Sequence, residues 1–343
     1  MKRPVVYFVP PDRARAGVGQ ILESSGFLRG LKQKKKVGLK VHFGEVDNHN
    51  HLDPQFVRAA AVATSYYNLQ PVAIETTALY RGKRQNATDH IKLAKTHGFG
   101  PDSILVPIEI LDGEHGEKSY DVALDSELVP VARLAQKLRH YLYIINMAHF
   151  KGHFVAGFGG VIKNLAMGLA SKAGKLEMHS DSRPFVESDR CTSCGTCVDY
   201  CPYDAINFVQ YVARIGRSCT GCGGCLSVCP QGAIRVEWNA ASETIQLKMV
   251  EYCRAVLRGR KAIHFNFALK ITPNCDCYPQ TEKPMMEDVG VFASLDPVAC
   301  EQAAFDKTKS KLDETYPHLK PDAVIEFAEK AGLGQRQYRL EQL

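Results

Sequence analysis

No run in the chain approaches the roughly 18 apolar residues that a membrane-spanning helix needs. The apolar stretch near the start, Val5–Val9, is far too short for the core of a signal peptide, so the sequence leads us to expect a cytoplasmic protein. Low-complexity tracts are missing. A strong charge excess is missing too, with 43 Lys and Arg facing 37 Asp and Glu. The one basic run, Lys32–Lys36, is short and falls where a helix should hand over to a strand, which reads as a solvated turn. Cysteine pairs divided by a longer spacer, the usual zinc pattern, are also absent from the densest cysteine region.

That region, Arg190 to Trp238, carries two runs of the form C-x2-C-x2-C-x3-C-P. They are Cys191, Cys194, Cys197, Cys201 with Pro202, and Cys219, Cys222, Cys225, Cys229 with Pro230. Bacterial two-cluster ferredoxins use this run to hold cubane [4Fe–4S] centres. Three closely spaced thiolates wrap one face of a cubane, and the fourth, turned away by the following proline, reaches the other cluster. The expected sets are therefore Cys191, Cys194, Cys197 and Cys229 for one cluster, and Cys201, Cys219, Cys222 and Cys225 for the second. Such thiolates need a reducing compartment and point to a low-oxygen or anaerobic setting. Each loaded cubane carries about −2, which brings the formal +6 of the bare chain to about +2 and removes most of the case for nucleic acid as a partner.

At 343 residues the chain is too long to be a ferredoxin alone. Apolar, strand-like runs at Val5–Val9, Val37–Phe43, Val72–Thr76, Ile104–Ile110 and Tyr141–Met147 alternate with helical stretches near Gly17–Leu31, Pro54–Tyr67, Ala87–His97 and Val129–Arg139. After the cysteines, Glu243–Arg258 and Pro297–Lys309 read as helices around a strand at Ala262–Ile271. The pattern predicts an α/β fold, a mostly parallel sheet with helices on both faces. The expected division is 1–182 and 241–343 for the two parts of the α/β domain, with 183–240 an inserted two-[4Fe–4S] ferredoxin-like domain.

The join before the cysteines, His149 to Gly168, is the richest remaining stretch. Gly157, Gly159 and Gly160 lie between a strand and a helix expected to begin near Gly160, followed by Lys163 and Asn164. Glycines there allow close backbone approach to a ligand, and a helix N-terminus attracts anions. Lys163 in the first turn opposes the helix dipole, which points to an anionic or electrophilic partner. His153 and His179 are candidate companions, as catalytic groups or metal ligands, though their spacing allows ordinary hydrogen-bonded roles equally. Cys275 and Cys277 follow a strand and could face one way at its C-terminal end, as a metal-ligand pair, a redox dithiol or simply turn residues. Cys253 and Cys300 read as buried helix thiols and Asp296 as a helix cap. His49 and His51 sit in a polar loop and read as exposed.

Several blocks resemble the domain of unknown function 362 family in its ferredoxin-bearing form. They include Lys40-Val-His42-Phe-Gly-Glu45, Glu75 to Arg84, Asn86 to His90, His149 to His179, Cys275 to Pro279, and Asp296 to Ala299. The resemblance spans most of the chain and implies a ferredoxin inserted in an α/β domain, without a reaction. Over some thirty residues, His153 to Gly168 and on to His179, the chain also resembles the lactate racemase family, which carries a nickel-pincer nucleotide. That resemblance implies a lysine holding the cofactor covalently, at Lys163, and nickel-site histidines at His153 and His179. It departs in lacking the serine-bearing glycine core and in having Tyr80 where a further histidine is expected.

The expected function is an iron–sulfur redox protein whose two clusters pass electrons to or from a ligand or substrate pocket in the α/β domain, serving a small molecule and a redox partner protein, with oxidoreductase activity left open. An additional metal or nucleotide ligand for the pocket is left open as well. Two other classes stay open, a ferredoxin-type carrier without its own reaction and a metal- or cluster-handling protein.

Overall fold

The computed structural model describes residues 3–179, 183–201, 203–219, 221–237, 241–278 and 282–343. Pro202, Trp238, Pro279 and the expected boundary residues 182 and 240 lie outside them. Among the described residues the organising element is one sheet of eight strands. In chain order they are β1 Val5–Val9, β2 Lys36–Lys40, β3 Gln70–Glu75, β4 Ile108–Ile110, β5 Tyr143–His149, β6 Lys261–Ala268, β7 Gly290–Ser294 and β8 Arg339–Gln342. In space they run β8-β1-β7-β6-β5-β2-β3-β4. Strand β7 is antiparallel to both neighbours and every other pairing is parallel.

Buried strands that carry apolar residues on both faces need a layer of helices on each. Helices α1 (Ala14–Ser24) and α2 (Pro54–Tyr66) cover one face, where Val18, Ile21, Val57 and Ala61 pack on Ile145, Met147 and Phe265. Helix α2 starts where it does because Pro54 fixes the first turn and Asp53 accepts from the Gln55 N–H at 2.9 Å. A third helix, α3 (Ala87–Ala94), is capped in the same manner by Asn86. The opposite face is covered by α4 (Val161–Leu169), α6 (Ser242–Leu257), α7 (Pro297–Thr315) and α8 (Ala323–Lys330), with α5 (Lys172–His179) following α4.

The expected helix at Val129–Arg139 is instead a strand, Val131–Ala135, paired antiparallel with Ser119–Ala123, and then a tight turn from Gln136 to His140. Its side chains alternate with period two: Ala132 and Leu134 are buried while Arg133 reaches Glu177 at 3.4 Å. The expected strand Ile104–Ile110 is reduced to its last three residues, because Pro101–Ile104 forms a helical turn and Leu105 takes a left-handed φ of 64°. Helix α1 stops at Ser24 rather than Leu31, before Gly26 at φ 66°.

The cysteine-rich segment lies in the crossover between β5 and β6. It contains two antiparallel ribbons, Ile206–Val209 with Val212–Ile215 and Phe185–Val186 with Ile234–Arg235. Two short helical turns, Thr196–Asp199 and Gly224–Val228, follow Gly195 and Gly223 at φ 81° and 73°. A separate small core of Cys197, Ile206, Ala213 and Ile234 holds it together.

Candidate functional site

Eight cysteines of this segment line two cavities. Cys191, Cys194, Cys197 and Cys229 border one. Cys201, Cys219, Cys222 and Cys225 border the other. Each set therefore takes three cysteines from one run and its fourth from the other. Backbone N–H groups point at the sulfurs: Ala213 to Cys191 at 3.4 Å, Ala233 to Cys229 at 3.2 Å, Ala205 to Cys201 at 3.3 Å and Gly221 to Cys219 at 3.4 Å. Such contacts favour anionic sulfur. Among the described residues no three His, Cys, Asp or Glu side chains converge on a single-ion position.

The second cavity sits against the α/β domain. Lys172 of α5 donates to the Gln85 carbonyl at 2.7 Å and to the Ser227 hydroxyl, and Gln85 donates to the Leu226 carbonyl at 2.7 Å. Arg81 reaches the Pro230 carbonyl at 2.8 Å. One turn along α5, Lys175 donates to Thr76 at 2.5 Å at the end of β3. The helix thus touches the cysteine segment with Lys172 and the edge of the sheet with Lys175.

That sheet edge holds the second group of residues. After β2 the chain moves outward to β3, and after β5 it moves the other way to β6, so β2 and β5 flank a switch point of the kind where open α/β sheets place ligands. Asn164 bridges it: its amide donates to the Lys40 carbonyl at 3.3 Å on β2 and to the Met147 carbonyl at 3.2 Å on β5. It also donates to Asn146 at 2.8 Å and accepts from the Lys40 ammonium at 2.9 Å. Lys40, fully buried, pairs with Glu75 at 3.0 Å. Beside it Arg84 pairs with Glu45 at 3.3 Å, donates to the Tyr80 hydroxyl at 2.7 Å and contacts the ring of His42.

At the centre of this edge Lys163 donates to the Cys275 sulfur at 3.2 Å. The next residue, Asp276, turns away into a buried pairing with His149 at 2.9 Å and Lys151 at 3.3 Å. The following thiol, Cys277, hydrogen-bonds back to Cys275. That bond and the Lys163 ammonium hold the Cys275 thiol well below its ordinary range against the effect of burial, whereas the same bond and burial push Cys277 well above. Burial opposes charge on Lys163, but Cys275 and Cys277 outweigh it and raise the lysine. The Lys163 ammonium against Cys275 favours the thiolate there, with the Cys277 thiol beside it. Phe154 and Tyr278, both about half exposed with rings 5.6 Å apart, border its outer side.

His153 and His179 share the electrostatic environment of Lys163. Burial, with Lys163 adding to it, pushes His153 well below its ordinary range and His179 down to about 3, so both imidazoles are neutral. His153 accepts from the N–H groups of Val155 and Ala156 at 3.2 and 3.0 Å, which shapes the turn of a short hairpin, Lys151–His153 with Gly157–Gly159.

The glycine cradle takes a different form from the expected one. The N–H groups of Val161 and Ile162 at the start of α4 are met by the carboxyl oxygens of Glu301, at 3.0 and 3.1 Å, so the acceptor there belongs to the chain itself. A Cβ on Gly160 would strike that carboxylate at 2.2 Å. A Cβ on Gly159 would come within 3.3 Å of Lys163, and Gly157 turns at φ 78° against Pro321. These glycines allow close packing against Pro321, Lys163 and Glu301 in turn.

Cys253 and Cys300 are fully buried, and Asp296 caps α7 by accepting from the Ala299 N–H at 2.9 Å. His51 stacks on His97 with centroids 4.6 Å apart, half-buried, while His49 is exposed. Sequence reasoning assigned no role to Lys40, Glu75, Arg84, Lys151, Asp276 or Glu301. A charged residue inside an apolar strand run, as Lys40 is, was the available signal. No helix among the described residues is long and apolar enough to cross a membrane.

A model of the domain of unknown function family DUF362 matches residues 37–306, and the chain belongs to that family. The matched span contains the side chains of both centres. No curated protein matches the sequence.

Proposed function

We propose that this DUF362 member is an iron–sulfur redox protein in which two [4Fe–4S] clusters exchange electrons with the Lys163–Cys275–Cys277 centre. The observation that carries this is the partition of eight cysteines between two cavities, each completed by the fourth cysteine of the other run. Four cysteines so grouped, three from one C-x2-C-x2-C run and one from the other, suit a cubane cluster. Cys191, Cys194, Cys197 and Cys229 would hold the outer cluster, and Cys201, Cys219, Cys222 and Cys225 the inner one. When bound, each supplies a one-electron couple.

The chain's own residues do the rest. The N–H groups of Ala205, Ala213, Gly221 and Ala233 offset thiolate charge. Lys172 and Gln85 hold the inner cavity against α5, whose Lys175, one turn along, reaches the sheet edge. Cys194 is exposed beside Phe208, Val209 and Tyr211, also exposed, and that face would meet a redox partner protein. At the other end Lys163 fixes one thiolate for chemistry, in a reducing, cytoplasmic setting.

Iron, sulfide and zinc analysis of protein purified without oxygen tests the cluster assignment. About eight irons per chain are expected from two cubanes. Zinc in stoichiometric amount, or cysteine runs locked as disulfides, overturns the reading. Lys163→Ala should keep the iron and lose turnover; unchanged turnover would favour a simple electron carrier.

A further inference from the structure

We infer that Cys275 and Cys277 are a redox-active dithiol that closes to an internal disulfide and, in its reduced form, reduces a disulfide substrate at Cys277. The dithiol stands on its own geometry; its supply of electrons rests on the cluster reading above.

Residues two apart lie roughly 7 Å apart when the chain is extended and closer in a turn, and it is the turn that brings them within the Cα separation a disulfide spans. Here the Tyr278 N–H closes a turn on the Cys275 carbonyl at 3.1 Å, while Asp276 between the two thiols is held on His149 and Lys151. The turn is therefore fixed from behind, and both sulfurs face Lys163. A metal-ligand role is disfavoured by that neighbour, because an ammonium 3.2 Å from Cys275 repels a cation. It suits a thiolate instead, which is the species that leaves when a disulfide is reduced.

Access divides the roles. Cys275 is 2% exposed, whereas Cys277 is half-buried and precedes the exposed Tyr278. Substrate sulfur thus meets Cys277, and Cys275 resolves. In the reductive half, the Cys275–Cys277 bond takes up one proton and two electrons, which the clusters would supply when bound. It breaks to a thiolate on Cys275, paired with Lys163, and a thiol on Cys277. In the oxidative half, Cys277 loses its proton and attacks the substrate disulfide. This forms a mixed disulfide and releases one substrate thiolate, which takes that proton. The Cys275 thiolate then attacks the Cys277 sulfur, re-forms the internal bond and expels the second substrate thiolate, which takes a proton from solvent. The sum is two electrons and two protons converting one disulfide to two thiols. Phe154 and Tyr278 offer an aromatic platform beside the entry.

The test uses the full, cluster-loaded chain, equilibrated without oxygen in buffers of reduced and oxidised dithiothreitol, quenched in acid, unfolded, alkylated and digested. The peptide holding both cysteines should pass from doubly alkylated to a disulfide lighter by two hydrogens in one two-electron transition. Loss of the ammonium destabilises the reduced form, so Lys163→Met should shift that balance about tenfold toward the disulfide. Two alkylated thiols under every buffer overturn the dithiol. In Cys275→Ser, a small aromatic disulfide should leave its adduct on Cys277, and an adduct on neither residue of the pair overturns the substrate assignment. Reduction by viologen radical should be fast in the native chain and slowed at least tenfold in Cys201→Ser. Equal rates, with the disulfide still forming, would leave the dithiol standing and sink the cluster reading alone.

Discussion

Glu301 takes three hydrogen bonds, from the N–H groups of Val161 and Ile162 and from the Asn266 amide at 2.6 Å. Even so, burial pushes its pKa from 4.5 up to about 7. The folded chain then binds this proton more tightly than the unfolded one. Its contribution to stability is complete below about pH 4.5 and is lost as the pH rises to about 7. Over that window the loss is about 3 kcal/mol. Urea titrations from pH 4.5 to 7 should show a steeper fall in the native chain than in Glu301→Gln; parallel slopes would assign the proton elsewhere. Lys40 and Glu75 make a second buried residue-scale device. Removing one charge strands the other, so Lys40→Met should cost about 3–5 kcal/mol in chemical denaturation. The double change Lys40→Met with Glu75→Gln should recover part of that loss, and no recovery would mean the pair is not the source.

Helix ends govern the next scale. Asp296 caps α7 and also accepts from the Gln335 N–H at 3.0 Å, so it ties the helix start to the turn that leads into β8. Asp296→Ala should cost about 1–2 kcal/mol, and Asp296→Asn, which keeps an acceptor, less. Hydrogen exchange should show faster amides in β8 with the alanine, and unchanged exchange there would separate the cap from the strand. Helix α5 has a different duty, touching the inner cavity through Lys172 and the sheet edge through Lys175. It joins the cysteine segment to the sheet edge through these hydrogen bonds, and Lys172 is fully buried, which is rare for a lysine.

At the scale of the whole molecule, the segment between β5 and β6 is a second small core fastened to the first by hydrogen bonds from Arg81, Gln85 and Lys172. Its two runs are interlocked, since Cys201 belongs by sequence to the first run and by position to the second cavity. Cys201→Ser should therefore lower iron from about eight to about four per chain. The surviving electron paramagnetic signal should be that of the Cys191, Cys194, Cys197 and Cys229 set. Loss of the signal from that set instead would invert the partition.

The sequence by itself determined the grouping of the eight cysteines, because ligand spacing and the turn after each fourth cysteine are local properties of short runs. It also determined the alternation that makes a mostly parallel α/β sheet, since buried strands and amphipathic helices differ over windows of a few residues. It did not separate a strand from a helix at Val131–Ala135, where five residues are too few to distinguish a period of two from one of 3.6. Only the tertiary structure decided what the lysine and the glycines face. Cys275 lies 112 residues from Lys163, and Glu301 lies 140 from Val161. They meet because β2, β5 and β6 end side by side on one edge of the sheet, and which strands become neighbours depends on the path of long crossovers that no local pattern encodes.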